Sequence, residues 1–127
     1  MAGQGQGRGR TWRGKDADER RDIRRRQLID AGIELFGTKG YAATSVKAIC
    51  DEAGLTERYF YENFRDREAL LKVVYEILVR DAAVAVLEKM AEFDGDPEAM
   101  MKAGLAAFAR QVTENPKRAR IQQLEVV

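Results

Sequence analysis

Two short helical patterns joined by Ala53-Gly54-Leu55-Thr56 constrain this chain more than any other stretch of it. Before the joint, "TSVKAICDEAG" begins with a capping residue, Thr44 or Ser45, and sets Val46, Ile49, Cys50 and Ala53 on an apolar face. Beyond it, "LTERYFYENF" has Thr56 placed to cap a second short helix. There Phe60 and Phe64 stand four apart and share the side of Leu55. Glu57, Arg58, Tyr59, Tyr61, Glu62 and Asn63 lie around the remaining sides. A Gly in a tight turn of three or four residues between short helices is the sign of a helix-turn-helix. The mixture of rings and charges then fits a helix with one face in protein and another reaching outward.

The flanking segments have the same helical period. "RRDIRRRQLIDAGIELFGTKGY" puts Leu28, Ile29, Gly32, Ile33, Leu35 and Phe36 on one stripe, which Gly37 and Gly40 are expected to end. Asp66 is placed to cap a long helix through "REALLKVVYEILVRDAAVAVLEKMAEF", and "DGDP" breaks it. Asp96-Pro97 opens another helix, and Asn115-Pro116 repeats the device. No segment alternates with a strand period, so the expected fold class is all-α. Residues 1–18 are Gly-, Gln- and Arg-rich with Trp12 as their one large apolar residue, which predicts a disordered basic arm.

Charge is unevenly placed although the net value is only +1. Residues 1–26 hold Arg8, Arg10, Arg13, Lys15, Arg20, Arg21, Arg24, Arg25 and Arg26 against Asp16, Asp18, Glu19 and Asp22. A basic end on a near-neutral body suggests a polyanion partner, with a merely solvated tail as the plain alternative. Cys50 is the only cysteine, which rules out an internal disulfide and favours a reducing compartment. There is no His, so the commonest general base and metal ligand are both missing. With no nucleophile beside a base, no phosphate-cradling Gly loop and no metal cluster, neither an enzyme nor a cofactor is expected. No apolar run approaches the ~20 residues that span a bilayer, so a cytoplasmic protein without membrane contact is expected.

The stretch "AGIELFGTKGYAATSVKAICDEAGLTERYFYENFRDREALL", Ala31 to Leu71, resembles the DNA-binding domain of the tetracycline-repressor (TetR) family of bacterial transcriptional regulators. The likeness is carried by Leu35-Phe36, Gly40-Tyr41, Thr44 with Ile49, the Ala53-Gly54-Leu55 turn, Tyr61, Phe64 and the "DREALL" opening of the fourth helix. It implies a three-helix bundle with the helix-turn-helix over residues 19–65. Over 66–127 it implies a long linking helix and a partial helical effector and dimerisation domain. It also implies a sequence-specific regulator of double-stranded DNA. Such a protein acts as a ligand-responsive repressor that binds a palindromic operator as a homodimer, with a small-molecule inducer in the full-length protein. Members of the family continue well past this length, so a piece of a longer protein is expected, with a truncated member as the alternative. Gly32 departs from the usual Ala and should loosen the first helix by up to ~1 kcal/mol.

By the same resemblance, Thr44, Lys47, Tyr61 and Arg67 fall where members touch phosphates, joined here by Ser45 and Thr56. Glu57, Arg58, Tyr59 and Asn63 fall where base edges are read. Side-chain chemistry agrees: Arg58 can fork onto guanine O6 and N7, Asn63 can pair with adenine, and Glu57 can accept from a cytosine amino group. Lys47, Arg67 and the hydroxyls can position the protein on the backbone without reading sequence. Arg8, Arg10 and Arg13 can enter a neighbouring minor groove. Plainer readings stand beside these. Arg58 and Glu62 can form an ordinary intrahelical ion pair, Tyr59 can lie idle on the surface, and Cys50 and Met90, Met100 and Met101 can be packing. Two carboxylates in the reading helix also leave open a helical protein- or ligand-interaction module without specific operator binding.

Overall fold

A computed structural model of the protein describes residues 2–124, with side chains from Gly14 to Gln123. These residues form six helices and no strand: α1 Ala2–Thr38, α2 Val46–Ala53, α3 Glu57–Asn63, α4 Arg67–Ala91, α5 Pro97–Glu114 and α6 Pro116–Leu124. The all-α expectation holds. Helix α1 reaches back past residue 19, where the bundle was expected to begin. The side chains of Arg8, Arg10 and Arg13, the expected minor-groove arm, lie outside the described residues.

The helix starts fall at the predicted caps, though Thr56 makes no side-chain cap bond. Ser45, not Thr44, caps α2 by accepting from the Ala48 N–H at 3.0 Å. Asp66 and Asp96 do the same for α4 and α5 through the N–H groups of Ala69 and Ala99, at 2.9 and 3.2 Å. Each such cap is worth about 1 kcal/mol. Thr56 holds the N-cap position of α3 without a side-chain cap bond. Asn115 ends α5, and its carbonyl accepts the first bond of α6 from the Ala119 N–H at 3.0 Å.

Helices α1 to α4 enclose the core. Leu28, Phe36, Ile49, Phe60, Leu70 and Val74 are fully buried, with Leu35, Cys50, Phe64, Leu71 and Leu78 close behind. Those of α1, α2 and α3 belong to the apolar faces read from the sequence, whereas Leu70, Leu71, Val74 and Leu78 are placed there only as part of a long helix. Ile121 of α6 was not foreseen, yet it is fully buried in the same cluster. Helix α6 packs on α1, α4 and α5 and covers the last turns of α1.

Gly37 shows why. The expectation that it ends α1 is not met, because the helix continues to Thr38 and turns at Gly40, with φ +88°. A Cβ on Gly37 would stand 2.6 Å from Lys117 Cβ and 2.9 Å from the Lys117 carbonyl oxygen. Its missing side chain is the space in which α6 crosses. Gly32 has a parallel role, since a Cβ there would meet Leu70 Cδ2 at 3.1 Å. The helix propensity lost at Gly32 is set against close approach of α4.

Helices α4 and α5 pair along their length but leave much apolar surface open. Val84, Leu87, Met101, Leu105, Phe108 and Val112 are all exposed.

Candidate nucleic-acid interface

Seven residues cannot hold a helix alone, so α3 depends on what it buries. Phe60 and Phe64 enter the core with their rings 5.7 Å apart, each worth roughly 1.5–3 kcal/mol by burial. The turn before them is equally determined. Gly54 has φ +72°, which suits glycine, and the Leu55 N–H donates to the Cys50 carbonyl at 2.9 Å. The result is a short helix fixed along one side and open along the other.

On the open side, Glu57, Arg58, Tyr61 and Glu62 are exposed. Arg58 Nε lies 3.4 Å from Glu62 Oε1, so the plain reading of an intrahelical ion pair is realised. A pair this exposed is worth only a few tenths of a kcal/mol and leaves the guanidinium free to exchange partners. It also partly answers the carboxylate problem, since Glu62 faces a cation. The Tyr61 ring stands nearly perpendicular to that of Phe60, centroids 5.2 Å apart, and the residue stays exposed.

Tyr59 and Asn63 are less available than expected. Both are half-buried, and Asn63 Nδ2 donates to the Tyr59 carbonyl at 2.9 Å. Two arginines of α1 brace them. Arg24 places its guanidinium carbon 4.4 Å over the Tyr59 ring. Arg25 stands 4.6 Å over Phe64 and directs Nη1 to the Asn63 carbonyl at 3.4 Å. Sequence reasoning counted these arginines only as charge. The available signal was their position four residues before Leu28 and Ile29, on the buried stripe, where long stems meet protein.

The expected phosphate set divides. Ser45, Lys47 and Thr56 are exposed beside the helix-turn-helix, with Lys47 Nζ at 4.0 Å from Asp51. Thr44 and Arg67 instead face inward. Thr44 is buried, and its hydroxyl donates to the Gly40 carbonyl at 2.7 Å, because the left-handed turn leaves that carbonyl without a helical partner. Arg67 donates to the carbonyls of Tyr41 and Thr44, each at 2.7 Å. Both side chains therefore shape the loop between α1 and α2. Buried Cys50 sits behind this face, its thiol pushed upward first by burial and then by the carboxylates of Glu57 and Asp51.

Helix α6 contributes at the other end of α1. Lys117 Nζ reaches Glu34 at 2.7 Å, and Arg120 Nη1 donates to the carbonyls of Gly37 and Thr38 at 3.2 and 3.1 Å. These charges lie at the negative end of the α1 dipole, where cations are favoured.

A short helix fixed by a glycine turn, presenting a polar face beside exposed Lys and hydroxyl groups, defines a helix-turn-helix protein. Residues 28–74 match the family of bacterial regulatory proteins described as the tetR family. Over that segment the chain is similar to members of the family. It is 30% identical over 95 residues to the HTH-type transcriptional regulator AcrR of Shigella flexneri, covering 74% of this chain and 44% of that protein. With the HTH-type transcriptional regulator BetI of Paraburkholderia xenovorans (strain LB400) it shares 29% over 97 residues, 76% of this chain and 50% of the other. The crystal structure of a TetR family transcription regulator from Marinobacter aquaeolei VT8 superposes with a TM-score of 0.75 at 24% identity, covering 84% of this chain and 55% of that one, a likeness of fold. The chain thus spans about half the length of these relatives.

Proposed function

We propose that the protein is a sequence-specific DNA-binding transcriptional regulator, with α3 as its reading helix in the major groove. The observation that carries this is the division of α3: Phe60 and Phe64 are buried, while Glu57, Arg58, Tyr61 and Glu62 stay exposed. Arg58 addresses guanine, Glu57 a cytosine amino group, and Tyr59 and Asn63 the adjoining pairs. Ser45, Lys47, Thr56 and Tyr61 hold the phosphate backbone. Thr44 and Arg67 act one step back, through the loop that presents Ser45 and Lys47. Arg8, Arg10 and Arg13 extend the basic end toward a minor groove. A cytoplasmic location fits this role, and no helix of the described residues is long and apolar enough to cross a membrane.

Regulation by a small molecule is the second part of the proposal. Between α4 and α5 lies an apolar groove of about 530 Å³, lined by Val86, Met90, Met100, Met101, Leu105 and Phe108 among others. Helix α4 runs 25 residues, about 37 Å, from Arg67 at the DNA-facing loop to this groove. A ligand that moves α4 therefore moves the reading head, which suits a repressor released by an inducer. The open apolar face with Leu87, Leu105 and Phe108 suits pairing into a homodimer.

One observation favours a second reading, a helical interaction module. Arg58 already has Glu62 as a partner, and Glu57 carries no ion pair among the described residues. Sequencing the genomic fragments retained by the purified protein decides between them. Enrichment of a palindrome with half-sites about 34–36 Å apart is expected. Retention without sequence preference in dilute salt would favour the interaction module.

A further inference from the structure

Tyr59 and Asn63 are held from outside their own helix, and by side chains with no other evident work. Arg24 and Arg25 make no ion pair among the described residues. Arg24 covers the Tyr59 ring at 4.4 Å, and its Nε is buried without a hydrogen-bond partner. An arginine placed for solvent or for a carboxylate would not leave that nitrogen empty. The position is decided by the ring face, through cation–π attraction that strengthens as the pair is desolvated. Arg25 does the same for Phe64 and reaches the Asn63 carbonyl, while Asn63 reaches the Tyr59 carbonyl. The last turn of α3 is thus braced from α1 at each of its half-buried polar residues.

We propose that Arg24 is a specificity-determining positioning residue. It holds the Tyr59 ring by one face, so that the other face and the hydroxyl address one base pair rather than swinging between several. A tyrosine on a short helix has two free torsions, and a groove contact made by a swinging ring discriminates poorly. The inference rests on α3 being the base-reading helix, and it goes beyond that reading by assigning selectivity to a side chain of α1. Arg24 stands a helix away from the bases in this role and acts only through Tyr59.

The test is selection from a randomised duplex pool by the wild-type protein and by Arg24→Met, Arg24→Lys, Tyr59→Phe and Tyr59→Ala variants, with thermal melting of each as a folding control. Arg24→Met is expected to reduce preference about 2- to 5-fold at the base pair that Tyr59→Ala also affects, and nowhere else. Arg24→Lys, which keeps the charge but stacks poorly, should behave as Arg24→Met does. It also serves if the Met variant fails to fold. Tyr59→Phe keeps the ring and should keep the Arg24 dependence. In a Tyr59→Ala background, Arg24→Met should change preference no further. A uniform loss across all sequences, rescued by Arg24→Lys, would make Arg24 a phosphate contact and overturn the proposal. So would an unchanged preference profile. A wild-type protein that enriches no motif would remove base reading by α3 itself, and this inference with it.

Discussion

Arg67 lays its guanidinium carbon 4.4 Å over the ring of Tyr41 and donates to that residue's carbonyl oxygen at 2.7 Å. The first residue of α4 thereby holds the loop that leads into α2, and it also donates to the Thr44 carbonyl at 2.7 Å. A fork and a stacked plane are both needed, and lysine has neither. Arg67→Lys should therefore lower stability by about 1–2 kcal/mol, allowing for partial exposure, as read from urea midpoints. A phosphate contact alone would predict no such loss, because the charge is kept.

Arg58 predicts the opposite pattern. Its pair with Glu62 is exposed, so Arg58→Ala should change stability by no more than about 0.5 kcal/mol. Preference at one base pair should flatten by about 1–3 kcal/mol, measured by competition among single-base operator variants. Glu62→Gln, which frees the guanidinium and removes a repelled carboxylate, should tighten DNA binding. Weaker binding in that variant would count against Arg58 as a base reader.

Lys47 should behave as a phosphate contact. Its only ion pair among the described residues, at 4.0 Å to Asp51, is exposed at both ends. Lys47→Met is expected to weaken binding to all sequences alike and to lower the slope of log affinity against log salt by about one unit. Filter binding across a salt series reads both quantities.

Gly37 predicts a structural effect at the crossing of α1 and α6. Gly37→Ala places a methyl group 2.6 Å from Lys117 Cβ, against backbone as well as side chain. Helix α6 must shift, at a cost of about 1–3 kcal/mol, even though alanine favours the helix. Faster amide exchange around Ile121 and a lower melting temperature are the expected readings.

The Cys50 thiol gives a pH prediction. Its pKa is raised in the folded protein by burial and by Glu57 and Asp51. The sign follows from proton linkage. Above about pH 8.5 the unfolded chain loses this proton while the folded protein keeps it, so stability falls as pH rises. Cys50→Ala should remove that part of the alkaline loss. Denaturation midpoints of the two proteins compared at pH 7.5 and pH 9.5 should converge as pH rises.

Most of the bundle was legible along the chain. Leu28, Ile29, Leu35 and Phe36 repeat at helical spacing because one side of α1 faces protein, and Phe60 with Phe64 mark α3 in the same way. Ser45, Asp66 and Asp96 act through an N–H three residues away, so local spacing suffices to place them. Ile121 was missed because "PKRARIQQLE" has too few apolar residues to show a period. Gly37 was misread because a glycine near a helix end looks the same whether it stops the helix or makes room for another.

The order of residues along the chain is enough for the set of helices, most of their buried faces and the glycine turn that makes α2 and α3 one unit. These depend on contacts within a few residues and on a period that repeats. The tertiary structure decided what the polar side chains do: Arg24 and Arg25 brace α3, Thr44 and Arg67 serve the loop, and Arg120 caps α1. A long cation carries the same sign wherever it stands, and only distances across helices separate a phosphate contact from a brace. Spacing along one helix does not contain those distances.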